Sequence, residues 1–306
     1  MNVWIPPETT AQHRALLPHG IALHDLPADR AFPERLGPGE FLVADYNRPR
    51  VLEAIARLED LRVVQTMAAG VDSLVEHIPP GVTLCDAAGV HDVPIAEWVM
   101  MTMLAAFHNL PQHLEAQRRG TWRRGGLNSG GDDLEGATIL IVGHGSIGRA
   151  LENRLAPFGA NILRVARCFR DGVHPLTDLP ALLPRADVVM ILLPLTTETR
   201  GLVDARFLAA MRPRALLMNP ARGPIVDTEA LTQAVQAGRI RVALDVTDPE
   251  PLPDGHPLWS AAGVIITPHV GGAVRKLYDR AWRLIADQVR RYATGEPLRN
   301  VVVDGY

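Results

Sequence analysis

The chain has 306 residues, 47% of them hydrophobic, which is enough to bury a large core and suggests two domains. Its 31 Lys plus Arg against 34 Asp plus Glu leave a formal net charge of −3, which excludes bulk attraction to nucleic acid or to an anionic membrane surface. Two cysteines, Cys85 and Cys168, exclude a disulfide framework, fit a reducing cytoplasm and are expected to be small apolar fillers. The start, Met1 to Pro7, lacks the basic and long apolar regions of a signal peptide, and the most apolar runs, such as Val188 to Leu195, are strand-sized rather than membrane-spanning. A small-molecule partner is the expectation, and no metal site is assigned.

In chain order, Val3 to Ile5, Phe41 to Ala44, Arg62 to Thr66 and Val82 to Cys85 predict strands of a small α/β unit. Between them, Arg50 to Leu61 carries Val51, Leu52, Ile55 and Leu58 at helical spacing, a face that would lie on such a sheet. From Val93 to about Arg118 one long helix is expected, with Pro94 in its first turn and Ile95, Val99, Met103 and Ala106 on one face. It ends in the basic, glycine-punctuated stretch Arg118 to Gly126.

Six further strands follow: Thr138 to Val142, Asn161 to Val165, Val188 to Leu193, Ala215 to Met218, Val242 to Asp245 and Val264 to Thr267. Nearly continuous apolar strands alternating with helices indicate a parallel sheet covered on both faces, and six of them match a doubly wound dinucleotide-binding fold. A last helix, about Arg275 to Tyr292, carries Leu277, Trp282, Ile285 and Val289.

The turn Gly143-His-Gly145-Ser146-Ile147-Gly148 sits between the first of these strands and a helix, the context a dinucleotide site requires. Gly143 permits a tight turn, Gly145 lets a pyrophosphate approach the backbone, and Gly148 lets helix and strand pack closely. The N–H groups of Ser146 and Ile147 would face the phosphates at the positive end of the helix dipole. An acid that bonds the ribose 2′-hydroxyl is expected about 20 residues beyond the glycines. The second strand instead ends Val165-Ala166-Arg167, with no carboxylate to repel a 2′-phosphate and with Arg167 to bind it, Arg164 and Arg170 being further candidates. NADP(H) is therefore expected over NAD(H). The competing reading makes these arginines a solvated edge and places Asp171 near the ribose.

Three later runs carry chemistry. Arg222, in Asn219-Pro-Ala-Arg-Gly-Pro, follows a strand at the end where open parallel sheets bind ligands, and its guanidinium suits a carboxylate and a developing oxyanion. Histidine exchanges protons at neutral pH, and His269, in Thr267-Pro-His-Val-Gly-Gly, ends the last strand. The third run is Asp245-Val-Thr-Asp-Pro-Glu250-Pro.

Together these runs and the glycine turn resemble the D-2-hydroxyacid dehydrogenases, in particular their glyoxylate and hydroxypyruvate reductase branch. The resemblance covers nearly the whole chain, strongest from Gly136 to Gly272 and loosest over the first forty residues. It implies two Rossmann-like domains: a flavodoxin-like substrate domain of residues 1–98 plus 273–306, and an inserted dinucleotide-binding domain of residues 99–272. It also implies reversible, NAD(P)-dependent reduction of a small 2-oxo acid to the D-2-hydroxy acid. Arg222 would then bind and stabilise the substrate, His269 would bind it and give the proton, and Glu250, rather than Asp248, would orient His269 and favour its cationic form.

The same resemblance places Asp245 near the nicotinamide carboxamide, Leu193 and Pro194 along the adenosine and pyrophosphate, and Ala69, Gly70 and Val71 at the substrate carboxylate. Tyr46, Asn47 and Arg48 are positional candidates for selecting the substrate side chain, while His256 and Trp259 are given packing or lining roles. A homodimer formed through the dinucleotide domain is expected. Formate oxidation is disfavoured because that relative typically has glutamine where Glu250 stands, and no regulatory domain is expected beyond Tyr306, unlike the longer phosphoglycerate dehydrogenases. The competing functions are phosphite oxidation, a dinucleotide-sensing corepressor-like binding protein, which turnover would distinguish, and a methyltransferase, which leaves the three later runs unexplained.

Overall fold

The protein is described from a computed structural model over residues 1–28, 32–122, 131–167 and 170–303; Cys168 lies outside them. The chain divides into two units, Met1–His91 with Arg275–Tyr306, and Asp92–Val274.

The first unit opens with β1 (Asn2–Ile5), α1 (Ala11–Arg14), β2 (Ala22–Asp25), β3 (Phe41–Ala44), α2 (Arg48–Arg57), β4 (Val63–Thr66) and β5 (Thr83–Cys85). The strands form one parallel sheet in the order β2-β1-β3-β4-β5, so the direction of winding reverses between β1 and β3. Every residue of β3 and β4 is buried, as expected for strands covered on both faces. Strand β2 was not expected from the sequence. It is an edge strand whose residues Ala22-Leu-His-Asp are half or fully exposed, so it carries no apolar run to betray it.

The second unit begins with α3 (Asp92–Phe107) and α4 (Leu110–Arg118). One helix was expected over this range, but Asn109 adopts a left-handed conformation (φ 51°, ψ 33°) and Pro111 stands in the first turn of α4. Asn is the residue after Gly that best tolerates that conformation, and Pro cannot continue a helix, so the chain stops and restarts. Helix α3 buries Ile95, Ala96 and Trp98 in the core of this unit, which corrects the domain boundary from residue 98 back to His91.

Strand β6 (Thr138–Val142), α5 (Ser146–Leu155), β7 (Asn161–Val165), α6 (Leu179–Leu182), β8 (Val188–Ile191), α7 (Ala205–Ala210), β9 (Leu216–Asn219), α8 (Thr228–Gln236), β10 (Arg241–Leu244) and β11 (Val264–Ile266) follow. All six strands are parallel, in the order β11-β10-β9-β8-β6-β7. Where a further strand would flank β7, the chain makes a single parallel bridge, Val165 to His174. The winding reverses between β6 and β8, and the crevice at the carboxyl ends of those strands is where open sheets of this kind hold ligands.

Helix α9 (Leu277–Thr294) belongs to the first unit, where Leu277, Ala281, Trp282, Ile285 and Val289 share a core with Val3, Ile5, Phe41 and Val43. The C-terminal segment of the first unit thus starts at Arg275, where the sequence led to an expected start at 273. Among the described residues no helix is long and apolar enough to cross a membrane.

Candidate active site

The glycine turn follows β6 and caps α5. Gly143 has φ +108°, and a Cβ there would lie 2.5 Å from the Leu192 carbonyl carbon and oxygen, because β6 and β8 come together at this point. Gly148 allows a different approach: a Cβ would lie 2.9 Å from the Gly143 oxygen and 3.3 Å from Ile141 Cγ2. At Gly145, by contrast, nothing lies within 4 Å of that position. Gly145 is the N-cap of α5 and has no side chain to bond the first N–H groups, among them those of Ser146 and Ile147. An open backbone surface at a helix N-terminus fits a pyrophosphate. Leu193 is buried beside the turn, and the Pro194 carbonyl accepts a 2.7 Å bond from Thr199 Oγ1, which fixes the loop after β8.

Beyond the turn, the three arginine candidates separate. The Arg164 guanidinium is held by both carboxylate oxygens of Glu152. Arg170 donates to the His144 carbonyl oxygen and lies 3.0 Å from His144 Nδ1, while His144 Nε2 lies 2.7 Å from Glu152 Oε2. The Arg164 bond holds the Glu152 carboxyl below the usual glutamate range, with burial opposing and His144 adding to the effect. Ala166 stands at the end of β7 and Arg167 is exposed just beyond it.

At the carboxyl ends of β9, β10 and β11 the three later runs come to neighbouring positions of one sheet edge. Asn219, buried at the end of β9, closes the turn that carries Arg222: its Oδ1 accepts from Ala221 N at 3.0 Å and its Nδ2 donates to the Arg222 carbonyl at 2.9 Å. Arg222 Nη1 donates to the Ala221 carbonyl at 2.7 Å. Gly223 packs so tightly on the Thr247 carbonyl that no side chain fits.

His269 follows β11 with φ 55°, in the left-handed region, and its Nδ1 lies 2.6 Å from Glu250 Oε1. A carboxylate accepts only, so Nδ1 carries the proton of this bond and Nε2 is turned to the other side of the ring. Glu250, not the exposed Asp248, is the partner of His269. Asp245, 2% exposed, bonds the loop that follows: Oδ1 accepts from Thr267 Oγ1 and Val270 N, Oδ2 from Gly271 N.

In the first unit, Ala69 and Gly70 lie between anchored neighbours. Thr66 Oγ1 donates to the Ala68 carbonyl at 2.5 Å, and the buried Val71 gives its carbonyl to Leu74 N at 2.7 Å. Tyr46 donates to the Met67 carbonyl at 3.0 Å, just before this loop, and packs edge-on against Tyr278. Burial pushes its phenol up to about 12. Desolvation lowers the Arg48 guanidinium, which faces Asp72. Trp259 is half exposed and donates to the Pro253 carbonyl, and His256 Nδ1 accepts from Leu258 N, both local packing roles. Among the described residues no cluster of three His, Cys, Asp or Glu side chains is placed to hold a metal ion.

The family profile described as "D-isomer specific 2-hydroxyacid dehydrogenase, NAD binding domain" matches residues 100–271, more than half of the chain. The chain belongs to the D-isomer-specific 2-hydroxyacid dehydrogenases. Among relatives of this family, D-3-phosphoglycerate dehydrogenase of Methanocaldococcus jannaschii is 33% identical over 88% of this chain and 52% of its own length. The chain thus spans about half the length of the phosphoglycerate dehydrogenases it matches. Formate dehydrogenase of Arabidopsis thaliana is 32% identical over 82% of this chain and 68% of its own.

Among solved structures, a D-isomer-specific 2-hydroxyacid dehydrogenase of Xanthobacter autotrophicus in complex with NADPH is 29% identical, with a TM-score of 0.83, covering 100% of this chain and 99% of that one. An NADPH-dependent glyoxylate/hydroxypyruvate reductase of Sinorhizobium meliloti with bound NADP is 25% identical, with a TM-score of 0.84 and the same coverage. In this chain Asn219, Glu152, Trp98 and Thr267 also make hydrogen bonds to residues of the quoted runs or to the arginine candidates, and none was assigned a role from sequence. Asn219 and Thr267 lay inside the quoted runs; Glu152 and Trp98 gave no signal, since their contacts cross between separate elements.

Proposed function

We propose that this protein is an NADP(H)-dependent reductase of a small 2-oxo acid, glyoxylate or hydroxypyruvate in the first instance, forming the D-2-hydroxy acid and running in reverse as a dehydrogenase. The observation that carries the reading is the His269–Glu250 pair at 2.6 Å, on the same sheet edge as the Arg222 turn and in the same unit as an open glycine turn at the α5 N-terminus.

The chemistry follows from those groups. The nicotinamide, when bound, supplies two electrons as hydride to the keto carbon. His269 gives a proton from Nε2 to the oxygen that becomes the hydroxyl, and Glu250 stabilises the imidazolium and holds the ring in one orientation. Arg222 pairs with the substrate carboxylate and the oxygen on which charge develops. Ala69, Gly70 and Val71 of the first unit are proposed as substrate-binding residues, and Asp245 would lie toward the nicotinamide carboxamide. Gly143, Gly145, Ser146, Ile147 and Gly148 receive the pyrophosphate, with Leu193 and Pro194 along it.

Preference for NADP(H) is supported by Ala166, which places no carboxylate at the ribose, and by Arg167 beside it. Arg164 is committed to Glu152 and Arg170 to the His144 carbonyl. The test is to follow nicotinamide absorbance with NADPH and NADH against glyoxylate, hydroxypyruvate, pyruvate and phenylpyruvate. Turnover with NADPH preferred is the expected result; tight NADPH binding without turnover of any acid would remove this function in favour of a sensing role.

A further inference from the structure

A catalytic histidine in the left-handed region is an uncommon arrangement for a residue with a side chain, and it persists only where the surroundings over-determine it. At His269 (φ 55°) the constraints can be enumerated. Its own N–H donates to the Asp245 carbonyl at 2.7 Å. The Asp245 carboxylate takes the next two N–H groups, of Val270 at 2.9 Å and Gly271 at 2.8 Å. It also takes the Thr267 hydroxyl at 2.6 Å, from the residue two positions before the histidine. One aspartate therefore grips the loop on both sides of the ring.

The chain of bonds does not end there. Trp98, on α3 and 169 residues away in sequence, donates its indole N–H to Thr267 Oγ1 at 2.9 Å. An indole nitrogen only donates and a carboxylate only accepts, so the direction is fixed: Trp98 to Thr267 to Asp245. The single hydroxyl hydrogen of Thr267 is thereby kept on Asp245. The same indole also packs at Gly271: a Cβ on Gly271 would lie 2.8 Å from Asp245 Oδ2 and 3.2 Å from Trp98 Cγ. The loop bearing His269 thus contacts both a carboxylate and an indole that are themselves joined by a hydroxyl.

We infer that Trp98 is a positioning residue for His269, acting through Thr267 and Asp245 to set the direction of the imidazole, although it belongs to none of the sequence runs that mark the site. The inference rests on the reading of His269 as the proton donor. It assigns a kinetic duty to a residue 5% exposed in the core, whose burial alone would suggest packing.

The test uses Trp98→Phe, which keeps an aromatic ring and removes the N–H, with Thr267→Val and Thr267→Ser as the second pair. Trp98→Phe is expected to lower kcat about 10- to 100-fold, the cost of misplacing a reacting group, with the NADPH Kd and the thermal midpoint near wild type. Thr267→Val should do the same and Thr267→Ser should restore most of the rate. The double variant Trp98→Phe/Thr267→Val should be no slower than Thr267→Val alone, because both break one chain.

A readout independent of turnover is the imidazole NMR signal of the His269 Nδ1–H shared with Glu250, identified by its loss in His269→Gln. In Trp98→Phe and in Thr267→Val it should broaden or move. Wild-type kcat with an unmoved signal in Trp98→Phe overturns the inference, as do additive effects in the double variant. If the wild-type enzyme reduces no 2-oxo acid, the functional reading fails by itself, and the NMR signal still decides whether Trp98 orients His269.

Discussion

Gly143 and Gly145 stand two residues apart in one turn, yet the structure predicts opposite consequences for changing them to alanine. At Gly143 the backbone has φ +108° and the added Cβ would meet the Leu192 carbonyl at 2.5 Å and Leu193 N at 2.9 Å. The unfavourable backbone costs about 1–3 kcal/mol, and overpacking against another strand's main chain, which cannot rotate away, costs about 1–3 kcal/mol more. Gly143→Ala should therefore lose about 2–6 kcal/mol, a large share of a typical folding stability of roughly 5–15 kcal/mol. At Gly145 φ is −85° and nothing lies within 4 Å, so the folded protein has room. Alanine is a poorer N-cap than glycine, but it also restricts the unfolded chain, and these terms of about 0.5–1 kcal/mol oppose each other. Gly145→Ala should keep its stability within about 1 kcal/mol while its methyl occupies the surface proposed for the pyrophosphate, weakening NADPH binding at least about tenfold, or ~1.4 kcal/mol. Urea unfolding and NADPH fluorescence titration measure the two effects separately. A Gly145→Ala protein that binds NADPH like wild type would refute the placement of the phosphates, and a fully stable Gly143→Ala protein would refute the packing argument.

Other consequences can be checked independently. Arg167→Ala should raise the NADPH KM about tenfold, the scale of a lost charge-assisted bond, and leave the NADH KM unchanged; an unchanged NADPH KM removes Arg167 as the 2′-phosphate ligand. Because the Glu152 carboxyl is lowered by Arg164, its contribution is present above the unfolded glutamate pKa of about 4.3 and is lost as pH falls through the lower folded value. The stability difference between wild type and Glu152→Gln, about 1–2 kcal/mol at pH 7 for a charge-assisted pair, should shrink below about pH 4, and a difference constant from pH 7 to pH 3 would contradict the ion pair. Burial pushes the Cys85 thiol up to about 11, so the peptide carrying it should resist iodoacetamide at pH 8 in the native protein and react once the protein is unfolded in urea.

Much of this arrangement was legible before the structure because the inner strands of the second unit are buried, β8 and β9 throughout and β6 and β10 after their first residue. Such strands read as apolar runs, and Thr138–Val142, Leu216–Asn219 and Val264–Ile266 lead into the positions of Gly143, Arg222 and His269. The edge of a sheet obeys no such rule, and β2, half exposed, was invisible for that reason. The break at Asn109 was written in the sequence as Asn-Leu-Pro, but the apolar spacing of Ile95 to Ala106 continued smoothly enough to mask it. The turn after β7 made one bridge at His174 where another strand was possible, a choice of hydrogen bonding that composition does not determine. Least legible were the polar pairs. Glu152 looked like any exposed helix carboxylate until the fold set Arg164 and His144 beside it, and nothing in Trp98 announced a partner at Thr267.

The most direct test of the account compares wild type and His269→Ala in the reduction of glyoxylate and hydroxypyruvate with NADPH, alongside NADPH binding. The account predicts turnover by wild type and a kcat lower by about 10²–10⁴ in the variant, the usual share of a positioned proton donor, with NADPH affinity retained. A His269→Ala protein that reduces either acid at near the wild-type rate would contradict it.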